Sequence, residues 1–260
     1  MVDLPLSPNE GPTLPPRTPW RHGFPDVVVH STLAERDQHP DYAAAKSGNT
    51  VSALTLAQDL LSPVAIEHLR QLIGVAGAIL LPITALEVSG FNAIPDAMAQ
   101  TLAIKLGWPT SAGEIVQSNK VGHTRARSFN RLVTPASFEG HVVDGQTYVL
   151  VDDHVGLGGT LANLKGFLET HGGGVAAMTT LTESRDARHI ALQTGTLEML
   201  RGQHGEELEK LWREQFGHGL DCLTDVEARV LCREPTVDAI RNRLAQGAVE
   251  ASGRGLVPAF

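Results

Sequence analysis

Residues 148–161, Tyr-Val-Leu-Val-Asp-Asp-His-Val-Gly-Leu-Gly-Gly-Thr-Leu, leave the chain few ways to fold. Tyr148 to Val151 is apolar at every position, as in a strand buried on both faces of a parallel sheet. Asp152 and Asp153 follow, where that strand is expected to leave the sheet. Ligands of open α/β sheets collect at such carboxyl ends. Gly156, Gly158 and Gly159 then allow backbone N–H groups to turn toward an anion. From Thr160 the period becomes helical, with Leu161, Leu164, Phe167 and Leu168 on one stripe and the glycines after His171 as the stop. An anion in the loop would therefore meet a helix N-terminus. An acidic subsite suits hydroxyls or a hydrated cation, and the amide cradle beside it suits a phosphate. Together they match a sugar phosphate.

Other glycine-loop chemistries fit less well. The dinucleotide pattern G-x-G-x-x-G fails at Leu161, and no Gly-Lys-Ser/Thr follows the loop for a nucleoside triphosphate. A surface turn whose aspartates cap a helix is the plainer alternative. It does not explain why strand, acids, glycines and Thr160 occur in this order.

The stretch resembles the 5-phosphoribosyl 1-pyrophosphate (PRPP) motif of type I phosphoribosyltransferases: an apolar strand, two acids, two mostly apolar residues and a Thr-Thr-Gly-x-Thr-like loop opening a helix. Gly156 and Leu157 stand where hydroxyl residues are usual, and His154 where an aliphatic one is. A second stretch, Ser89-Gly-Phe-Asn-Ala-Ile-Pro-Asp-Ala-Met and its continuation to Pro109, is similar to the Arg-Gly-Phe-Asn-Gln-Ala segment of ComF-like phosphoribosyltransferases, with Ser89 in place of arginine. Phe138 to Gly140, followed by Gly145 and the central strand, fits the same pattern. The resemblance covers roughly residues 75–185.

The fold implied is α/β, a mainly parallel sheet flanked by helices, the type I phosphoribosyltransferase fold, with a helical C-terminal extension. Strands are expected at Val27–His30, Gly77–Pro82 and Val175–Leu181. Helices are expected at Tyr42–Lys46 and Val51–Leu61, then from Pro63 after a Ser62 cap to about Ile73. Another carries Ile94, Met98, Leu102 and Leu106 and stops at Gly107. Residues 1–40 form an arm; residues 1–25 hold seven of the fifteen prolines. Residues 41–185 form the core and 186–260 the extension, with amphipathic helices at Leu208–Phe216, Asp225–Leu231 and Val237–Leu244 and a tail fraying from Gly247. His204 and His218 are expected at the surface. Cys222 and Cys232 are expected as buried reduced thiols.

The resemblance implies a transfer of the phosphoribosyl group from PRPP, with Mg2+, to a nitrogen acceptor such as a nucleobase, releasing pyrophosphate. Asp152 and Asp153 would hold the ribose hydroxyls and, through them or water, the metal; they are the catalytic pair, with Asp153 nearest the acceptor. His154 is a secondary candidate base. Gly156, Leu157, Gly158, Gly159 and Thr160 would hold the 5′-phosphate, and a hydroxyl restored at 157 would tighten that hold. Leu86, Glu87 and Val88 would meet pyrophosphate. Between Glu114 and Glu139 there is no carboxylate, and Lys120, Arg125, Arg127 and Arg131 fall in that window. They would form a basic hood over the pyrophosphate, the alternative being a solvated basic loop. A PRPP-binding regulator without catalysis is the competing reading, and a nucleotide hydrolase a third.

A net charge of −8 argues against stable nucleic-acid binding or an anionic membrane surface. The longest apolar run, near 75–86, is short and holds Pro82. A cytoplasmic homodimer is expected.

Overall fold

The computed structural model describes residues 14–84, 86–87, 90–119 and 128–259. The chain runs through β1 (Val28–Val29), α1 (Leu33–Gln38), α2 (Tyr42–Lys46), α3 (Thr50–Leu60), α4 (Pro63–Ile73), β2 (Ile79–Pro82), β3 (Leu86–Glu87), β4 (Gly90–Phe91) and α5 (Ile94–Leu106). It continues through β5 (Ile115–Gln117), α6 (Ser128–Val133), β6 (Phe138–Gly140), β7 (Thr147–Val155), α7 (Gly159–Thr170) and β8 (Gly174–Glu183). Then come α8 (Thr194–Phe216), a short 3-10 turn, α9 (Asp225–Cys232) and α10 (Val237–Ser252).

β1, β8, β7 and β2 form, in that order, a four-stranded parallel sheet. Successive side chains of a strand face opposite ways, so an apolar run must be covered on both sides. Val149 and Val151 of β7 pack with Leu56, Met98 and Leu102 of α3 and α5, while Tyr148 and Leu150 pack with Leu161, Leu164 and Leu168 of α7. The mainly parallel sheet flanked by helices is thus the one the apolar runs imply.

Local signals set most boundaries. The Ser62 side chain accepts from the Ala65 amide with Pro63 in the first turn of α4, and Gly107 closes α5 in the left-handed region. Thr32 and Glu35 make a reciprocal capping box at the start of α1, a helix the periodicity did not suggest.

Three expectations need correction. β7 does not end before the acids. It runs on to Val155 because β8 stays beside it, pairing Asp152 with Thr180, His154 with Thr182 and Val155 with Glu183. β2 stops opposite Val151, so the acids have a strand on one side only. α10 does not fray at Gly247: it continues to Ser252, and Gly247 lies buried where a Cβ would come 3.2 Å from the Phe129 carbonyl of α6. His204 is buried, because α8 turns it with Leu200 and Leu208 toward a third apolar cluster built from α6 and α8–α10. His218 is half-buried against Trp212 and Phe216.

The arm expected to be extended is tied down where it is described. Lys165 of α7, 2 % exposed, donates to the Thr18 hydroxyl at 2.8 Å and the Pro19 carbonyl at 3.1 Å, and pairs with Glu169. Gly166 lets the arm cross, since a Cβ there would overlap the Pro16 carbonyl. Among the described residues, no helix is long and apolar enough to cross a membrane.

Candidate functional site

A cavity of about 230 Å3 opens at the carboxyl ends of β7 and β2, the position expected for ligands of an open parallel sheet. Its floor is residues 152–161. Thus Asp152, Asp153, Gly156, Leu157, Gly158, Gly159 and Thr160 face one space, and Arg131 of α6 joins them.

The two acids are unlike. Asp153 shares the sheet face of Val149 and Val151, and its carboxylate takes the ammonium of Lys46 on α2 at 2.9 Å. Burial works to raise its pKa, but Lys46, by charge and hydrogen bond, outweighs it and holds Asp153 below the ordinary carboxylate range. Asp152 accepts from the Asp153 amide at 2.8 Å. Burial, then the neighbouring Asp153 charge, push it well above that range. The pair is therefore one ionised carboxylate and one carboxyl whose ionisation the site opposes.

His154 is held on both ring nitrogens, Nδ1 by the Thr182 hydroxyl and Nε2 by the Ser184 hydroxyl, each at 3.0 Å. Burial lowers its pKa. An imidazole occupied in this way positions the strand end rather than serving as a free base.

The glycine loop enters α7 with Gly158 at φ +80°, where a Cβ would also press on Ile190 and Thr224. The N–H groups of the first turn of α7 have no partner within their own helix and face the loop side. At Gly156 an added Cβ would lie 2.9 Å from Nη1 of Arg131. The Leu157 side chain, at the cavity edge, packs with the third apolar cluster, and its carbonyl accepts from the Thr224 hydroxyl at 2.5 Å. A hydroxyl at 157 would therefore cost apolar packing against that cluster.

Several lining residues carried no readable signal. Arg36 of α1 stacks over Tyr42 of α2, 4.7 Å from the ring centre, and donates to Thr182 at 3.2 Å. Arg17 of the arm makes a buried two-pronged pair with Glu227 of α9 at 2.5 and 2.9 Å, and its Nε donates to Asn163 at 2.6 Å. The pair lies beside Gly159. The Thr224-x-x-Glu227 capping box is legible in sequence, but its meeting with Arg17 across the chain is not.

Leu86 and Glu87 form β3, which pairs with β4 in a two-stranded hairpin. Val88, Lys120, Arg125 and Arg127 lie outside the described residues. Among the described residues no group of three or more His, Cys, Asp or Glu side chains could cage a metal ion. Cys222 is buried, its thiol pushed up to about 11 by burial, and Cys232 is half-buried; neither is in the cavity.

No protein-family model matches the chain. It is 40 % identical over 238 residues to Protein TraN of Escherichia coli, covering 92 % of this chain and 53 % of that protein. An uncharacterised protein of Haemophilus influenzae is 40 % identical over 152 residues, covering 58 % of this chain and 34 % of its own length. The chain thus spans about half or less of the curated relatives it matches. Among solved structures, an adenine phosphoribosyltransferase aligns with a TM-score of 0.33 at 19 % identity, over 50 % of this chain and 71 % of the other. Leishmania donovani UMP synthase aligns with a TM-score of 0.29 at 15 % identity, over 69 % of this chain and 35 % of the other.

Proposed function

We propose that this chain is a phosphoribosyltransferase that takes PRPP, with Mg2+, and transfers its phosphoribosyl group to a nitrogen acceptor with release of pyrophosphate. The observation that carries this reading is the joint floor of one cavity: the acid pair at the end of β7 and, four residues on, the glycine loop opening α7. Few ligands need hydroxyl acceptors and a phosphate cradle at that separation; a ribose 5-phosphate does. The residue likeness of 75–185 to ComF-like phosphoribosyltransferases supports the same reading.

In this reading the amides of 156–160 and the Thr160 hydroxyl hold the 5′-phosphate. Asp153, kept ionised by Lys46, accepts from the ribose hydroxyls and faces the positive charge that grows on the ring as the bond at C1 breaks. Asp152, whose ionisation burial and the Asp153 charge oppose, stands beside it as a neutral carboxyl that can donate a hydrogen bond. Asp153, the ionised partner, remains the acid assigned to the incoming nitrogen. The acids suit a metal held mainly by substrate oxygens, since one carboxylate already has Lys46 and, among the described residues, no cage of His, Cys, Asp or Glu side chains surrounds them. When bound, Mg2+, held by Asp152 and Asp153 through substrate hydroxyls or water, would supply positive charge against the leaving group. Lys120, Arg125 and Arg127, with Leu86, Glu87 and Val88, would meet the pyrophosphate.

Binding without turnover is the second reading. It is favoured by the charge balance: Lys46 already neutralises Asp153, in a position where an uncompensated carboxylate would stabilise ring charge more strongly. Pyrophosphate release, measured with PRPP, Mg2+ and a panel of bases and amines, decides between them. Turnover with one acceptor class is expected, falling at least tenfold in Asp153→Asn. PRPP binding with no turnover of any acceptor would establish the second reading, and absence of PRPP binding would overturn both.

A further inference from the structure

The two departures of the glycine loop from the phosphoribosyltransferase pattern have separate structural partners. Leu157 is an anchor to the C-terminal cluster. Gly156 is different, because the space its side chain would fill is already bordered by polar atoms. A Cβ there would lie 2.9 Å from Arg131 Nη1, 3.7 Å from Ser184 Oγ and 3.9 Å from His154 Nε2. A threonine at 156 would thus push the flexible end of Arg131 out of its present place, whereas glycine leaves room for it there.

Arg131 is brought there by α6. Phe129, Leu132 and Val133 turn inward to the third cluster, and α10 packs along the same helix. The side chain of Arg131 therefore leaves α6 on the cavity side and is half-buried. Burial lowers its pKa but leaves a guanidinium charged at any physiological pH. A half-buried guanidinium beside helix N-terminal amides is a common means of holding a phosphomonoester, with up to two parallel N–H bonds.

Resting on the reading above, we infer that Arg131 belongs to the 5′-phosphate end of the site rather than to the pyrophosphate hood, and that its guanidinium takes the place of the hydroxyl missing at Gly156. The ligand class it selects is a terminal phosphomonoester. Glycine 156 and Arg131 form an exchanged pair: one loses a donor so that the other can supply a charged one.

The test is calorimetric titration of ribose 5-phosphate, PRPP and inorganic pyrophosphate into the parent protein, Arg131→Ala, Arg131→Lys, Gly156→Thr and the double variant Gly156→Thr/Arg131→Ala. Thermal melts confirm that each is folded. Arg131→Ala should weaken ribose 5-phosphate and PRPP by similar factors, tenfold or more, with pyrophosphate unchanged, and Arg131→Lys should lose less. Gly156→Thr alone should also weaken both sugar phosphates, because it displaces the guanidinium. The double variant should bind them more tightly than Arg131→Ala, since the new hydroxyl then has room to reach the phosphate. Loss confined to PRPP and pyrophosphate would return Arg131 to the hood and overturn the inference while leaving the transferase reading intact. Unchanged binding of all three in Arg131→Ala would overturn it in the same way. A parent protein that binds neither sugar phosphate would overturn the underlying reading and this inference with it.

Discussion

A single lysine decides how the acid pair divides its work. Two adjacent carboxyls, one buried and one half-buried, cannot both ionise cheaply, and Lys46 selects Asp153 as the charged one. Asp153→Asn removes the carboxylate from that ion pair and should destabilise the fold by about 1–3 kcal/mol. Asp152→Asn removes a group whose ionisation the fold opposes and keeps an oxygen for the Asp153 amide. It should be near neutral or stabilising. Urea unfolding of both variants at neutral pH checks the asymmetry; equal losses would mean that the charge is shared. The acids themselves were legible in the sequence, because a strand ending in Asp-Asp before a glycine loop has few other uses. Their inequality was not, since it depends on a lysine about a hundred residues earlier.

The strands and long helices were readable because their apolar periods are strong: the core face of α5, Ile94 with Met98, Leu102 and Leu106, is buried throughout. What escaped were contacts between elements distant in the chain. The proline-rich arm shows no periodicity, so nothing marked Arg17 as the residue that would insert between α7 and α9. Its pair with Glu227 is almost sealed, at 7 % and 2 % side-chain exposure. Breaking such a pair on one side leaves a buried charge. Arg17→Met should therefore cost about 3–5 kcal/mol, while Arg17→Met with Glu227→Gln should recover much of it. Chemical denaturation of the single and double variants tests this. An Arg17→Met protein as stable as the parent would show that the arm merely lies against the glycine loop rather than fastening it to α9.

At the scale of the whole molecule, three apolar clusters meet around one cavity, and two imidazoles, one buried and one half-buried, sit against the packed regions. His30 lies beside β8, its Nε2 3.0 Å from the Thr179 hydroxyl, and His218 lies against Trp212 and Phe216. Burial lowers both from 6.5 to about 4, with Arg17 adding to the effect at His218. The unfolded chain then binds protons that the folded chain refuses. The stability these groups contribute is complete above about 6.5 and is lost as pH falls toward about 4, on the order of a few kcal/mol for the two together. Asp153, depressed by Lys46, adds to the loss at the acidic end, whereas Asp152, raised by burial, opposes it. The melting temperature should fall steadily from pH 7 to pH 4.5. His218→Phe, which keeps an aromatic ring beside Trp212 and Phe216 but cannot be protonated, should make that fall shallower. A melting temperature that holds constant to pH 4.5 in the parent, or an equally steep fall in His218→Phe, would show that the imidazole is not buried as a neutral group.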